Sequence, residues 1–385
     1  MHRGCATEVA SIYVHAPFCA RRCVYCNFAV TVRREGDLPA WCAALKAELD
    51  WVEEEERLFS LAHELETLYV GGGTPSLLGP AAMQGLVQLL GSERLASPTL
   101  EWTAEANPES FTAEVAGAWA AAGVNRISLG VQTFNADALR WMGRLHGVDG
   151  PVRAIGDARS AGIDNISVDL IFGLPATLGR SWDDDLQRVV SLDVPHVSLY
   201  GLTVEPETAL GRAVREGSEQ PVDEEQYREE FLRAAEVLTA AGYTHYELSN
   251  FARDGAEARH NAVYWQGAPY LGLGNGAHSY SSPVRRWNVR DWERYAARLA
   301  DGRTAEDGRE SVDEEAHRLE RIWLDLRTSA GVASPAADSR TRSAVVRWIV
   351  DGLAREADGR VYLTPKGWLV MDRLAIEFDE LCAPG

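Results

Sequence analysis

No stretch of this sequence approaches the roughly 20 apolar residues that span a bilayer. Met1–Ala10 is too short and too polar for a secretory leader, so a cytoplasmic protein is expected. Cysteine is scarce, with six in 385 residues, which argues against a disulfide-dense secreted scaffold. Positive charge is also in short supply. Lys and Arg number 38 against 57 Asp and Glu, a net charge of −19. Neutralising phosphates needs a basic footprint, so nucleic acid is excluded as a main partner. Arg285, Arg286 and Arg290 form one local basic group. It reads equally as a solvated face or as a partner for an anionic small ligand. Hydrophobic residues make up 46% of the chain, enough for a substantial core in one large domain or two ordinary ones.

The few cysteines are crowded. Cys19, Cys23 and Cys26 lie in Tyr13-Val-His-Ala-Pro-Phe-Cys-Ala-Arg-Arg-Cys-Val-Tyr-Cys-Asn-Phe28 with the spacing C-x3-C-x2-C. Three thiolates on one tight loop can hold three irons of a [4Fe–4S] cube and leave the fourth iron without a protein ligand. Most cluster proteins supply four Cys ligands and carry electrons. An open position on a metal centre means chemistry or substrate binding. At this spacing the expected occupant is S-adenosylmethionine (SAM), bound through its amino and carboxylate groups. A zinc site is the competing reading, but no fourth Cys or His stands at zinc-finger spacing nearby. Cys5, Cys42 and Cys382 are scattered and are expected to be ordinary thiols.

The first two-thirds of the chain alternate strand and helix. Short apolar strands are expected at Ser11–His15, Thr67–Val70, Leu100–Ala106, Arg126–Val131, Asn165–Phe172, His196–Leu202 and Tyr243–Ser249. Helices are expected at Pro39–Phe59, Pro80–Leu90, Thr112–Ala122, Ala136–Leu145, Gly150–Ala161, Trp182–Ser191 and Asp223–Ala241. This alternation predicts an α/β fold with a parallel sheet. Seven units in one series favour a closed or partial barrel over a doubly wound sheet. In such barrels the site gathers at the C-terminal ends of the strands. Polar or Gly-rich groups do follow the strands: the cysteine loop, Gly71-Gly-Gly-Thr-Pro75, Glu105-Ala-Asn-Pro108, Gln132, Asp169, Tyr200 and Glu247-Leu-Ser-Asn250. The expected division is a barrel domain over residues 1–300 and a small C-terminal domain over 301–385. Asp301–Glu315 is the expected linker. Helices at Ala316–Thr328, Ser339–Asp351 and Lys366–Phe378, with a hairpin turning on Asp358-Gly359, suggest a winged-helix-like module.

The glycine triplet Gly71-Gly72-Gly73 lets backbone groups approach a ligand with no side chain in the way. Glu105, Gln132, Arg144 and Asp169 are suited to pairing with the amino acid part of SAM and to hydrogen bonding its ribose. A second group is His260-Asn-Ala-Val-Tyr-Trp265. Imidazole is a common axial ligand of haem iron, and Tyr or Trp can stack on a macrocycle. The plainer reading is a buried His among core aromatics. The Gly-rich run Tyr270–His278 fits a ligand-wrapping loop or a structural one.

Taken together, these residues resemble the radical SAM proteins of the anaerobic coproporphyrinogen III oxidase type, over nearly the whole chain. The resemblance implies a partial α/β barrel with a helical C-terminal domain, and a [4Fe–4S] cluster on Cys19, Cys23 and Cys26. It also implies SAM contacts from Tyr13, Tyr25, Gly72, Gly73, Thr74, Glu105, Gln132, Arg144 and Asp169. The true oxidases resemble C-x3-C-x2-C-x-C and carry a long N-terminal extension. Here Phe28 stands at the extra cysteine position and twelve residues precede Tyr13. Both features are similar to the HemW-type haem chaperone branch, whose H-N-x-x-Y-W motif matches His260–Trp265 in full. The resemblance therefore implies haem as bound cargo, with His260 as its binding residue. It implies delivery to apo-haemoproteins such as respiratory-chain components, rather than decarboxylation of coproporphyrinogen III to protoporphyrinogen IX by a 5′-deoxyadenosyl radical. A monomer or homodimer is expected, with peripheral membrane association left open.

Overall fold

The structure is a computed structural model that describes residues 6–253, 255–334 and 339–382. Cys5 therefore lies outside the described residues. Six strands stand side by side in chain order: β1 (Ser11–Ala16), β2 (Thr67–Gly72), β3 (Glu101–Ala106), β4 (Arg126–Gln132), β5 (Asn165–Phe172) and β6 (His196–Gly201). Every neighbouring pair is parallel. Parallel neighbours need a crossover between them, and helices supply it. These are α1 (Leu38–Glu54), α2 (Ala82–Leu90), α3 (Ala113–Ala122), α4 (Ala136–Met142), α5 (Gly150–Ser160) and α6 (Trp182–Ser191). After β6 come α7 (Ala209–Arg215) and α8 (Glu224–Ala240). Asp37, Thr112, Asn135, Ser181 and Asp223 each accept a first-turn backbone N–H. Such caps explain why these helices start close to their expected positions.

Side chains alternate along the strands. Ile12, Val14, Leu68, Val70, Ile127, Leu129, Val168 and Leu170 pack into one core with Leu45, Leu49, Leu86, Trp119 and Leu186 of the helices. Each fully buried side chain of this kind contributes about 1.5–3 kcal/mol. The intervening positions, Tyr13, Tyr69, Glu105, Ser128 and Asp169, fall on the other face of the sheet. That face is polar, and it is where the candidate site forms.

The parallel series stops at six strands rather than seven. The chain reverses at Leu248-Ser249, so β7 (Thr244–Glu247) and β8 (Asn250–Ala252) form a hairpin whose second strand pairs antiparallel with β6. Glu247 is fully buried. Its carboxylate accepts from the Ser249 amide at 3.0 Å and pairs with Arg327 at 2.9 Å. This strand-end signature is therefore structural.

The segment His260–Trp265 lies in α9 (Arg259–Trp265), and β9 (Leu271–Leu273) pairs parallel with β1 at the opposite sheet edge. The Gly-rich run is thus an edge strand. A Cβ at Gly272 would stand 2.1 Å from the His278 carbonyl oxygen. Next come β10 (His278–Ser281), β11 (Val284–Asn288), α10 (Trp292–Ala300) and β12 (Glu306–Ser311), the three strands forming an antiparallel sheet. The stretch expected as a linker, Asp301–Glu315, contains this third strand and runs into the start of the next helix. Beyond it lie α11 (Glu314–Arg327), β13 (Val332–Ala333), α12 (Ser339–Val350), β14 (Ala354–Ala357), β15 (Arg360–Leu363), α13 (Pro365–Trp368) and α14 (Met371–Cys382). The β14–β15 turn has φ of 50° at Asp358 and 71° at Gly359, the positive pair a tight hairpin requires. The helix expected over 366–378 is two helices, α13 and α14. No helix among the described residues is long and apolar enough to cross a membrane.

Candidate cluster and cofactor site

Cys19, Cys23 and Cys26 are free thiols, each half-buried, on the loop after β1. Phe18–Cys19 pairs with Thr31–Val32, which closes the loop on itself. The Val24 amide donates to the Met142 carbonyl at 3.2 Å, and the Arg22 guanidinium to the Val30 carbonyl at 2.6 Å. Burial pushes the Cys19 thiol up to about 11, against the opposing hydrogen bond from Thr74. Burial raises the Cys26 thiol as well. Thiolates at these positions need positive charge close by, which a metal centre supplies. Among the described residues, no three His, Cys, Asp or Glu side chains converge on one ion position. A cube has a separate iron for each sulfur, and the donor set fits it.

Two of the three cysteines are joined by a chain of side-chain hydrogen bonds. The Thr74 hydroxyl donates to Cys19 Sγ at 3.3 Å, and Asn107 Nδ2 donates to Thr74 Oγ1 at 3.2 Å. Arg144 Nη2 donates to Asn107 Oδ1 at 2.7 Å, and its Nη1 reaches Cys23 Sγ at 3.8 Å. Arg144 is delivered by a helix stop: α4 ends at Gly143, with φ of 81°, and the next residue turns into the site. Tyr25 packs against Ala138, Met142, Ile171 and Leu174, wedging the loop onto α4.

The glycine triplet seats this assembly. The Gly73 amide donates to the Ala16 carbonyl, and a Cβ at Gly73 would stand 2.6 Å from that oxygen. Gly72, at φ 104°, donates its amide to Glu105 Oε2 at 2.9 Å. Glu105 also accepts from the Tyr69 hydroxyl at 2.8 Å. Burial raises its carboxyl to about 7, and the nearby Asp169 adds to the rise. A carboxyl held in this way fits a cationic amino group. Asp169 accepts from Ser128 at 3.0 Å, and burial raises its pKa too. Tyr13 is anchored by its hydroxyl to His15 Nδ1 at 3.0 Å. Gln132 sits at φ 70° beside a bulge at Gly130–Gln132, the kind of local strain that clusters at functional positions.

His260 does not join this group. It lies at the opposite, N-terminal ends of the strands. Its Nδ1 meets the Thr67 hydroxyl at 2.8 Å, and its amide donates to Glu101 at 3.0 Å. Its Nε2 is taken by the Tyr264 hydroxyl at 2.8 Å. The ring is 1% exposed, and burial lowers its pKa to about 3. Both ring nitrogens are therefore engaged inside the protein.

Several of the residues that organise the site were not anticipated. Asn107 falls in the Glu105–Pro108 motif without having been singled out. His15 Nε2 meets the Ala29 carbonyl at 2.9 Å, and Asn275 donates to the same oxygen at 3.2 Å. Arg290 donates to Asn27, so it clamps the cysteine loop. Arg286 is buried and paired with Glu56 at 2.9 Å, whereas Arg285, one residue earlier on β11, pairs with Glu310 and Glu320. The three arginines serve three separate contacts and form no common basic face.

Residues 13–189 match the Radical SAM superfamily. In fold, the chain is similar to the coproporphyrinogen III oxidase HemN of Escherichia coli. The TM-score is 0.80 over 98% of this chain and 91% of that one, at 21% sequence identity. The chain is a radical SAM protein with the α/β fold of that superfamily. It is 36% identical over 368 residues to the heme chaperone HemW of Mycobacterium tuberculosis, covering 94% of this chain and 92% of that protein. It is 34% identical over 374 residues to the heme chaperone HemW of Bacillus subtilis, covering 94% and 96%. Within the superfamily it belongs to the HemW family.

Proposed function

We propose that the protein binds haem and passes it to apo-haemoproteins, such as those of the respiratory chain, from the cytoplasm. The observation that carries this reading is the near end-to-end similarity to proteins named heme chaperones. The complete H-N-x-x-Y-W segment on α9 and Phe28 in place of a further cysteine support it. In this reading Cys19, Cys23 and Cys26 hold a [4Fe–4S] cluster. Tyr13, Tyr25, Gly72, Gly73, Thr74, Glu105, Gln132, Arg144 and Asp169 hold SAM. Such a cluster supplies a one-electron reductant and an open iron for the SAM amino and carboxylate groups.

The chain's own residues have distinct parts. Arg144 and Thr74 donate to ligand sulfurs and steady their charge. Glu105 offers an anionic partner to an ammonium group, and Asp169 offers hydrogen-bond acceptors from the facing strands. We further propose that residues 1–300 form the cofactor-bearing unit and 301–385 a packing or gating unit. His260 ligates iron only in a state in which Tyr264 has released Nε2, because both ring nitrogens are otherwise used.

The test is a side-by-side assay of anaerobically reconstituted protein for haem binding and for coproporphyrinogen III turnover with reductant and SAM. Haem binding without protoporphyrinogen formation is the expected result. Turnover above background without haem binding would reverse the reading in favour of an oxygen-independent coproporphyrinogen oxidase.

A further inference from the structure

Arg126 opens β4. Alternation along the strand puts its side chain on the polar inner face, two residues before Ser128. It is 2% exposed. Its Nε has no hydrogen-bond partner, and among the described residues its guanidinium enters no ion pair. The neighbouring strands repeat the pattern. Thr103 on β3 and Asn165 on β5 stand in register with Arg126, and Thr103 Oγ1 and Asn165 Oδ1 are also buried without partners. No counterion is therefore built at this level of the sheet.

Other arginines as deeply buried are paired. Arg180 meets Asp185 and Glu230, and Arg286 meets Glu56. A guanidinium stays charged in proteins, and enclosing a charge without a partner costs stability. The fold nonetheless keeps one at Arg126.

Five side chains feel that charge: Tyr69 of β2, Asp169 of β5, His196 of β6, Tyr246 of β7 and His260 of α9. Burial raises the two tyrosines and lowers the two histidines, so all four are neutral near pH 7. Two further carboxylates face Tyr246. Glu101 accepts from the Arg259 and His260 amides, and Glu247 is paired with Arg327. Asp169 is the one group of the five that can answer Arg126 with a negative charge. Its neighbours on the inner face are Glu105, Tyr69 and Tyr200, none of them cationic. Its printed donors are hydroxyls, Ser128 at 3.0 Å and Ser167 at 3.4 Å. Burial raises the Asp169 carboxyl, and Ser198, Ser128 and then the charge of Arg126 oppose that rise.

We propose that Arg126 is a positioning residue for SAM: it is the fixed positive charge that Asp169 faces, and it acts on the cofactor only through that carboxylate. The proposal rests on the SAM reading above. An ionised Asp169 accepts from hydroxyl groups such as those of a ribose. Without the cation behind it, the carboxyl takes up its proton at higher pH, and an acceptor is lost.

SAM titrated calorimetrically into the full, cluster-loaded chain between about pH 5 and 8 tests this. Arg126→Gln should move the acid limb of SAM affinity up by about one pH unit, roughly tenfold in affinity on that limb. Arg126→Lys keeps the charge and should move the limb back toward wild type. Glu105 contributes an acid limb of its own, which Asp169→Asn leaves in place. In the Asp169→Asn background, Arg126→Gln should change neither limb nor affinity. The ligand-free Arg126→Gln chain should melt no lower than wild type, because it loses a buried charge that had no partner. A wild-type profile in Arg126→Gln, or equal weakening in both backgrounds, would show that Arg126 does not act through Asp169. A melting temperature below wild type would mark the arginine as structural. If the wild-type chain itself binds no SAM, the cofactor reading falls, and this role falls with it.

Discussion

Tyr69 and His260 stack ring on ring, with 5.2 Å between centroids and 28° between planes. The Tyr69 hydroxyl, at the other end of the same side chain, donates to Glu105. One residue in the middle of β2 thus touches both the α9 motif below the sheet and the carboxyl at the cofactor end.

The Glu105 carboxyl gives the first prediction. Burial holds it at about 7, against roughly 4.3 in an unfolded chain. Between those values the folded state binds more protons, so its contribution to stability is present at low pH and is lost as pH rises through 7. Glu105→Gln should therefore stabilise the ligand-free protein at pH 8 by roughly 1–2 kcal/mol and have little effect near pH 4. Thermal unfolding of both proteins across that range checks this. Parallel melting-temperature curves would contradict it.

The hydrogen-bonded chain from Cys19 to Cys23 gives the second. Cys23→Ala should abolish stable cluster binding. Asn107→Ala removes no ligand but breaks the chain at its centre, so iron and sulfide per polypeptide should fall clearly after anaerobic reconstitution. Cys42 is half-buried and Cys382 exposed. Their Ala variants should match wild type. Full iron content in Asn107→Ala would show that the chain of bonds is dispensable.

Asp169 accepts from Ser128 and Ser167 on the inner face. Hydrogen bonds involving a charged group contribute about 1.5–3 kcal/mol. Asp169→Ala should weaken SAM binding by about tenfold or more, measured by calorimetry on cluster-loaded protein. Undiminished affinity would remove Asp169 from the site.

His260→Ala would leave the Thr67 and Tyr264 hydroxyls without their buried partner. A loss of roughly 2–4 kcal/mol in stability is expected, read by chemical denaturation. Burial lowers His260 to about 3 and His15 to about 4. Both are neutral in the fold and take up protons on unfolding. Their contribution is therefore intact above about pH 6.5 and fades as pH falls toward 4. An acid transition that is unchanged in His260→Ala would argue against this linkage.

Much of this was legible in the sequence because strand periodicity, N-cap residues and the cysteine spacing are local signals. The ends of β1 to β5 and the glycine triplet could be placed from such signals. The turn at Leu248-Ser249 could not, since the run Tyr243–Ser249 reads as one apolar strand and only the Glu247–Arg327 pair, 80 positions apart, shows why it reverses. Asn107 was hidden for a similar reason. Its partners Thr74 and Arg144 come from the loop after β2 and from the residue beyond the α4 stop, and nothing in the motif around it announces them. Arg285 and Arg286 looked like one basic group because adjacent residues on a strand share a place in the sequence but face opposite sides.

The chain of hydrogen bonds linking Cys19, Thr74, Asn107, Arg144 and Cys23 consists wholly of protein atoms. It joins the loop after β1 to the loop after β2, the end of β3 and the residue beyond the α4 stop. A shift of either sulfur is passed through Asn107 to the other, so the two thiols answer to a ligand as one unit.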